Sequence, residues 1–134
     1  AFGTSAPRQT PTGPYYYRCM SAPVKRYHFV RRGEDFELYP GLRLITLPGH
    51  VENLLGLVVT VDSGKRYLFP SDALYSPLNM APPLRIPGFC VSTADYRDSL
   101  EKIARIQREI GAEIMYSHWT PIFNEWKKAP FFYE

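Results

Sequence analysis

The pattern of apolar and polar residues between positions 27 and 70 predicts several short β-strands. Residues 27–30 are β-prone, and residues 36–39 alternate apolar and polar side chains after a polar turn, which predicts a hairpin. Residues 42–47 form the next predicted strand. It ends at Pro48-Gly49, a pair of residues that commonly interrupts regular structure.

Residues 54–61 are almost entirely apolar, with the sequence LLGLVVTV. A run of this kind is typical of a strand that is covered on both faces. A turn at residues 62–65 separates it from a returning strand at residues 66–69. No helical periodicity fits between residues 36 and 70, so this part of the chain is predicted to be β-structure.

The clearest helical pattern covers about residues 93–110. Ser92 and Asp95 fit a capping box at its start, and Gly111 fits a C-cap at its end. The apolar stripe repeats at steps of three and four: Tyr96, Leu100, Ile103, Ile106 and Ile110. Charged residues one turn apart are expected to pair on the polar face: Asp98 with Lys102, and Glu101 with Arg105.

Residues 113–116 follow the helix as a predicted short strand. A helix that leads into a strand indicates helices covering a sheet, so the fold class is α/β or α+β. Residues 71–91 form a long loop that is rich in proline yet remains apolar. Such a loop is usually packed over a ligand pocket or a partner surface.

The composition supports one ordinary globular domain. The chain has 134 residues, of which 45% are hydrophobic and 22% charged, values that exclude long disorder and a fibrous repeat. No apolar run approaches the roughly 18–20 residues of a membrane span, and residues 1–14 lack the apolar centre of a signal peptide. We therefore expect a cytoplasmic protein. Because the chain begins at Ala1 and not at Met, we also expect it to be processed or cut from a longer protein.

The net charge of +3 is unevenly distributed. Residues 1–33 form an irregular basic arm with no acidic side chain, which leaves a net charge of −3 on the remainder. Its six basic residues are scattered and do not form one periodic face, so nucleic-acid binding is not the favoured interpretation. Cys19 and Cys90 fit no metal-binding or redox spacing; we expect free thiols in a reducing compartment, with one disulfide as the alternative.

Three residues that can ligate a metal follow predicted strands. His50 and His118 come after the strands at residues 42–47 and 113–116, and Asp72 comes after the strand at residues 66–69. This placement would put all three along one rim of a sheet. Imidazole nitrogen and carboxylate oxygen are natural ligands for zinc and similar divalent ions. The alternative is that each is a capping or surface residue, since three donors are fewer than a closed zinc site uses.

Three segments resemble the metallo-β-lactamase-fold hydrolases. Leu47-Pro48-Gly49-His50 is similar to their P-G-H turn, the segment of residues 71–75 is similar to their D-A-x-Y segment, and Tyr116-Ser117-His118 is similar to their final histidine motif. Within that superfamily the chain most resembles N-acyl homoserine lactonases, the quorum-quenching enzymes, over roughly residues 34–120. The resemblance implies the C-terminal half of an αββα sandwich, with a mostly antiparallel sheet and one long amphipathic helix.

The resemblance also implies a role for each matching residue. His50 would bind one metal ion, His118 a second, and Asp72 both. The metals, usually zinc, would lower the pKa of a bridging water, whose hydroxide attacks the ester carbon and opens the ring. Tyr75 would direct its phenol at the substrate carbonyl or leaving oxygen; without the resemblance, a packed aromatic residue is the simpler interpretation. Four apolar loop residues are candidate contacts for the acyl chain: Leu74, Leu78, Met80 and Phe89.

The chain also departs from that family's pattern. The H-x-H-x-D-H motif, which supplies further ligands to both metals, is absent, and His28 stands alone and is expected to face water. Trp119 stands where many relatives have aspartate. Two protein ligands cannot hold a catalytic zinc tightly, so the chain is predicted to be a single partial domain, with a half-sandwich over residues 34–134.

Several functional interpretations therefore stay open at this point. The favoured one is a metal-dependent lactone or ester hydrolase whose missing N-terminal half completes the fold, with a homodimer as a further expectation. Thioester and phosphodiester substrates are alternatives to a lactone. A degenerate half-domain that only binds a partner is the main alternative to an enzyme, and an interaction domain that uses the basic arm is the third.

Overall fold

The computed structural model of the chain describes residues 29–134. The elements in chain order are β1 (Phe36–Tyr39), β2 (Leu42–Thr46), β3 (Leu55–Thr60), β4 (Arg66–Phe69), two 3-10 turns (Ser71–Ala73 and Pro77–Asn79), α1 (Thr93–Ile110), β5 (Glu113–Ile114) and α2 (Thr120–Phe123). Most of the predicted basic arm, together with Cys19 and His28, lies outside the described residues.

The five strands form one sheet in the order β1-β2-β3-β4-β5. The first three pairings are antiparallel, and β5 lies parallel to β4. Strands β2, β4 and β5 therefore run in the same direction, and their carboxyl ends lie at one edge of the sheet. The parallel step from β4 to β5 needs a long crossover, which α1 supplies.

The predicted hairpin between residues 27–30 and 36–39 is wrong in its pairing. Phe29 and Val30 are not in a strand, and β1 instead pairs with β2, with Phe36 opposite Leu44. The turn between β1 and β2 is only Pro40-Gly41, and Gly41 has φ of +80°. Proline followed by a glycine at positive φ is the preferred pair for a tight type II turn, so this short connection forms in preference to the longer one.

The core lies between one face of the sheet and α1, as the apolar stripe predicts. α1 begins at Ser92, whose Oγ accepts a hydrogen bond from the backbone N–H of Asp95 at 3.2 Å, and ends at Gly111 with φ of +64°. The buried cluster comprises Ile45, Leu47, Val58, Leu68, Ala73, Leu74, Tyr96, Leu100, Ile103, Ile106, Ala112 and Ile114. No helix in residues 29–134 is long and apolar enough to cross a membrane.

Lys102 does not act in the predicted pair with Asp98. Its Nζ lies 2.6 Å from the Asp35 carboxylate and donates to the Thr46 carbonyl at 3.0 Å. The Asp35 carboxylate in turn accepts from the Thr46 N–H at 3.2 Å. The Lys102 side chain is only 19% exposed, so its charge is better satisfied by these tertiary partners than by a solvent-exposed neighbour on the helix.

The second face of the sheet is apolar but only partly covered. Phe36, Leu44, Leu57 and Phe69 form one continuous row across four strands. Phe69 is 39% exposed and Leu55, on the same face, 37%. The prediction that residues 54–61 are covered on both faces is therefore met on the α1 side, and only in part on the other side, among the described residues. A sheet face of this composition is typical of one that packs on further structure.

Replacing Gly56 by alanine is expected to destabilise the fold. A Cβ there would lie 2.7 Å from Leu47 Cδ1 and 2.9 Å from the Phe69 carbonyl oxygen, so the core must shift to accept it. We expect Gly56→Ala to lower the free energy of unfolding by about 1–3 kcal/mol, measured by urea denaturation. Gly88→Ala is the matched control, because its Cβ would meet nothing within 4 Å. Equal stability of the two variants would contradict this packing.

Candidate active site at the sheet edge

Three side chains come together where the carboxyl ends of β2, β4 and β5 share one edge of the sheet. The Asp72 carboxylate lies between two imidazoles. Its Oδ1 is 3.2 Å from Nε2 of His118, and its Oδ2 is 3.6 Å from Nε2 of His50. The structure thus places the sequence-predicted His50, Asp72 and His118 in one cluster, because strands that run in the same direction deliver their following residues to the same rim.

A strained turn presents Asp72 at this rim. Ser71, which precedes it, has φ of +51° and is the one non-glycine residue with positive φ in residues 29–134. Ala73 and Leu74, which follow it, are fully buried in the core. The backbone that carries Asp72 is therefore held by the buried residues that follow it, while the Asp72 side chain remains 38% exposed. Strain held in place by surrounding packing is common at functional positions.

The turn that carries His50 requires glycine at position 49. Gly49 has φ of +132°, and a Cβ there would lie 2.4 Å from the backbone N and Cα of Tyr96, in the first turn of α1. The preceding carbonyl, that of Pro48, accepts a hydrogen bond from Ser99 Oγ at 2.6 Å. The turn is thus packed directly on the helix, and His50 is held at a fixed position beside Asp72.

Tyr75 lies beside both imidazoles. Its ring centroid is 4.4 Å from that of His118 and 5.9 Å from that of His50, both edge-on. Its carbonyl accepts a hydrogen bond from the backbone N–H of His118 at 3.1 Å. Burial, and secondarily the nearby Asp72 carboxylate, raises the pKa of the Tyr75 phenol. The phenol therefore keeps its proton at neutral pH and can donate a hydrogen bond.

The spacing of the donors can be compared with that of zinc ligands. Zinc bonds to nitrogen and oxygen are about 2.0–2.2 Å long, so two donors on one tetrahedral ion lie about 3.2–3.6 Å apart. The separations of Asp72 oxygens from His118 and His50, 3.2 and 3.6 Å, match this spacing. Within residues 29–134, no three or more His, Cys, Asp or Glu side chains form a group that could hold a metal ion. Each ion would thus find two donors here, fewer than a catalytic zinc needs.

The four residues predicted to contact an acyl chain differ in position. Leu74 has no exposed surface and packs in the core under the site, so it cannot touch a ligand without a core rearrangement. Met80 is half-buried against the same core. Phe89 is 60% exposed, and its ring centroid lies 5.3 Å from that of His50; Leu78 is 41% exposed. Phe89 and Leu78 therefore offer the accessible apolar surface.

Sequence reasoning missed the residues that support His50. The Phe89 carbonyl lies 2.9 Å from His50 Nδ1, and the Cys90 thiol donates to the Gly49 carbonyl at 3.2 Å. A backbone carbonyl leaves no signal in the sequence. Ser99 does leave one, because it is a polar residue on the apolar side of α1, where a buried hydroxyl needs a partner.

Comparison with known proteins finds N-acyl homoserine lactonases among the relatives of this chain. The chain is 28% identical over 125 residues to an N-acyl homoserine lactonase AttM of Rhizobium johnstonii, and 29% identical over 112 residues to an N-acyl homoserine lactonase AiiB of Agrobacterium fabrum. The matches cover 90% and 80% of this chain, but 47% and 41% of the relatives. The chain thus spans about half the length of these relatives. No protein-family model matches it.

The fold is also shared. An N-acyl homoserine lactone hydrolase with the product N-hexanoyl-L-homoserine bound at its catalytic metal centre superposes with a TM-score of 0.65 at 20% identity, covering 72% of this chain and 38% of that one. A Bacillus thuringiensis AiiA variant with N-decanoyl-L-homoserine bound at the active site gives the same values. The chain therefore has an α/β fold of the metallo-β-lactamase type. Its resemblance to N-acyl homoserine lactonases is confirmed.

Within residues 29–134, the hydroxyl of Tyr96 is buried without a hydrogen-bond partner. Tyr96 is fully buried, and its Oη makes no hydrogen bond within residues 29–134. Burial raises the pKa of Tyr96 to about 12, with smaller contributions from Cys90 and Tyr75. An unpartnered buried hydroxyl does not stabilise the fold, and removing it leaves the packing of the ring in place.

Tyr96→Phe is therefore expected to leave stability at pH 7 unchanged or slightly higher. In the unfolded chain a tyrosine loses its proton near pH 10, whereas folded Tyr96 loses it near pH 12. The unfolded state binds fewer protons between these values, so wild-type stability should fall from pH 10 to pH 12. Thermal unfolding midpoints across this range should fall more steeply for the wild type than for Tyr96→Phe. Parallel curves would contradict the burial of this phenol.

Proposed function

We propose that this chain is the C-terminal part of a metal-dependent hydrolase that opens the lactone ring of an N-acyl homoserine lactone or a similar ester. The observation that carries the proposal is the Asp72 carboxylate, whose two oxygens lie at metal-ligand spacing from His50 and His118. The resemblance to lactonases over 90% of the chain adds the reaction class.

Each of the three residues has a defined part in this proposal. His50 would hold one ion and His118 a second, and Asp72 would serve both. Divalent ions, zinc being expected, lower the pKa of water and polarise a carbonyl when they are bound in such a site. The carboxylate lies between the two imidazoles, and carboxylate oxygen together with imidazole nitrogen is a donor set that suits divalent ions.

Tyr75 and Phe89 would act on the substrate itself. The Tyr75 phenol is protonated at neutral pH, so it can donate a hydrogen bond to the substrate carbonyl or to the leaving oxygen as negative charge develops there. The exposed Phe89 ring and the exposed Leu78 side chain would offer apolar contact to an acyl chain. Acyl length and the choice between lactone, thioester and phosphodiester depend on the rest of the site.

An N-terminal half of the same fold would complete both the site and the core. The relatives are about twice as long as this chain, and each half-site here has two donors where three or four are needed. The apolar row Phe36, Leu44, Leu57 and Phe69 is the surface on which such a half would pack. A homodimer, a cytoplasmic location and the single partial domain stay predictions.

A non-catalytic binding module is the second candidate function. It is favoured by the same observation of only two donors at each half-site, which without further ligands would hold metal weakly. Metal content therefore separates the two functions. An enzyme of the proposed class purifies with close to two ions, whereas a degenerate module purifies with none and is indifferent to a chelator.

Asp72→Asn in the natural protein that contains this chain tests the metal role. We expect the variant to lose bound zinc and to hydrolyse a short-chain N-acyl homoserine lactone at least about 100-fold more slowly, because one neutral amide replaces the shared carboxylate. Asp62→Asn, in the exposed turn after β3, is the matched control. Full zinc content and activity in Asp72→Asn would exclude the proposal, and thioester and phosphodiester assays run alongside identify the substrate class.

Tyr75→Phe tests the phenol separately from the metal. We expect kcat to fall by about 10²–10³, the usual effect of removing one hydrogen-bond donor to a developing oxyanion, while the zinc content stays unchanged. Tyr116→Phe is the control, since Tyr116 is half-buried against the core and its pKa is raised by burial alone. An unchanged kcat in Tyr75→Phe would assign Tyr75 to packing.

A further inference from the structure

Residues 89–92, the segment that enters α1, are bound to the turn that carries His50. The Val91 N–H donates to the carbonyls of Gly49 at 2.9 Å and His50 at 3.3 Å, and the Ser92 N–H donates to the Gly49 carbonyl at 3.1 Å. The Cys90 thiol donates to the same carbonyl at 3.2 Å. This segment, the 89–92 strap, thus provides hydrogen-bond donors for the carbonyls of a turn that pairs with no strand within residues 29–134.

The strap also reaches the imidazole of His50. The Phe89 carbonyl oxygen lies 2.9 Å from Nδ1. A carbonyl oxygen only accepts hydrogen bonds, so the proton of the neutral ring must be on Nδ1. The lone pair is then on Nε2, the nitrogen that faces the Asp72 carboxylate at 3.6 Å. The Phe89 ring packs edge-on against the same imidazole, and the His50 side chain is only 13% exposed.

We propose that the 89–92 strap is a positioning element that fixes His50 in its Nδ1–H tautomer and directs the Nε2 lone pair at Asp72. The tautomer follows from the contacts of this chain alone. Its consequence, a ligand nitrogen that is already oriented before a cation binds, rests on the proposed function. Hydrogen bonds of this kind from the far nitrogen of a histidine commonly set the affinity of a metal site.

His118 provides the internal comparison. Its side chain is 58% exposed, and among the described residues its ring makes a hydrogen bond through Nε2 only, to Asp72 at 3.2 Å. It has no counterpart of the strap on Nδ1 within residues 29–134. His50 is therefore contacted at both ring nitrogens and His118 at Nε2 only, within residues 29–134. A method that resolves the signals of each imidazole can compare the two rings.

Long-range proton–nitrogen NMR spectra of the metal-free protein test the tautomer directly. In its neutral form, the His50 ring is expected to show the Nδ1–H pattern, because Nδ1 faces the Phe89 carbonyl oxygen at 2.9 Å. His50→Gln in the natural protein that contains this chain identifies the His50 signals by their loss. Observation of His50 in the Nε2–H form would overturn the proposal, whether or not the protein binds metal.

A matched pair at position 91 tests the strap itself. Val91→Pro removes the N–H that donates to Gly49 and His50, whereas Val91→Ala keeps it. The Val91 side chain that both variants replace is 54% exposed, so little packing is lost in either. We expect Val91→Pro to mix the His50 tautomers and to weaken zinc binding by about 10–100-fold, measured by competition with a chromophoric chelator. Val91→Ala should match the wild type in both measurements.

Ser99→Ala separates positioning from loss of stability. It removes the hydrogen bond to the Pro48 carbonyl, so it should lower the unfolding midpoint while leaving the His50 tautomer unchanged. If Val91→Pro retains the Nδ1–H tautomer and the zinc affinity of Val91→Ala, the strap does not position His50. If Val91→Pro fails to fold, the His50 tautomer of the wild-type protein tests the proposal: Nδ1–H supports it and Nε2–H overturns it. The Nδ1–H tautomer in a protein that binds no zinc would support the strap and exclude the proposed hydrolase.

Discussion

The close packing of the Gly49 backbone on the first turn of α1 is the contact on which the site depends. No Cβ fits at position 49, since it would lie 2.4 Å from backbone atoms of Tyr96. This approach brings the turn after β2 over the helix, where Ser99 and the 89–92 strap bind its carbonyls. The position of His50 relative to Asp72 follows from that anchorage and not from any contact between the two side chains alone.

The direction of the strands supplies the second requirement. Because β2, β4 and β5 run the same way, the residues that follow them share one rim of the sheet. The parallel pairing of β4 and β5 needs a crossover, and the same helix that makes it covers one face of the sheet and supports the Gly49 turn. One element thus closes the core and organises the site, so destabilising α1 would disturb both together.

Two features of the chain are incomplete within the described residues. One is an apolar sheet face that is only partly covered, and the other is a pair of half-sites with two donors each. Both call for additional structure, one for physical reasons of burial and the other for coordination number. The lactonase relatives, about twice as long, are of a size that would supply it. One N-terminal half of the same fold would meet both requirements, because it would cover the sheet face and supply the further donors.

The sequence by itself determined the long helix, most of the strands and the identity of the candidate donors. Strong local signals explain this: the apolar stripe and caps of α1, the Pro-Gly pairs after strands, and the P-G-H and D-A-x-Y segments that carry the lactonase resemblance. The tertiary structure decided what depends on distance. In the folded chain β1 pairs with β2, and Lys102 forms an ion pair with Asp35. Leu74 is buried in the core, and the Phe89 carbonyl accepts a hydrogen bond from His50. A backbone carbonyl and a long-range partner carry no local pattern, so only the folded chain reveals which residue holds the histidine in place.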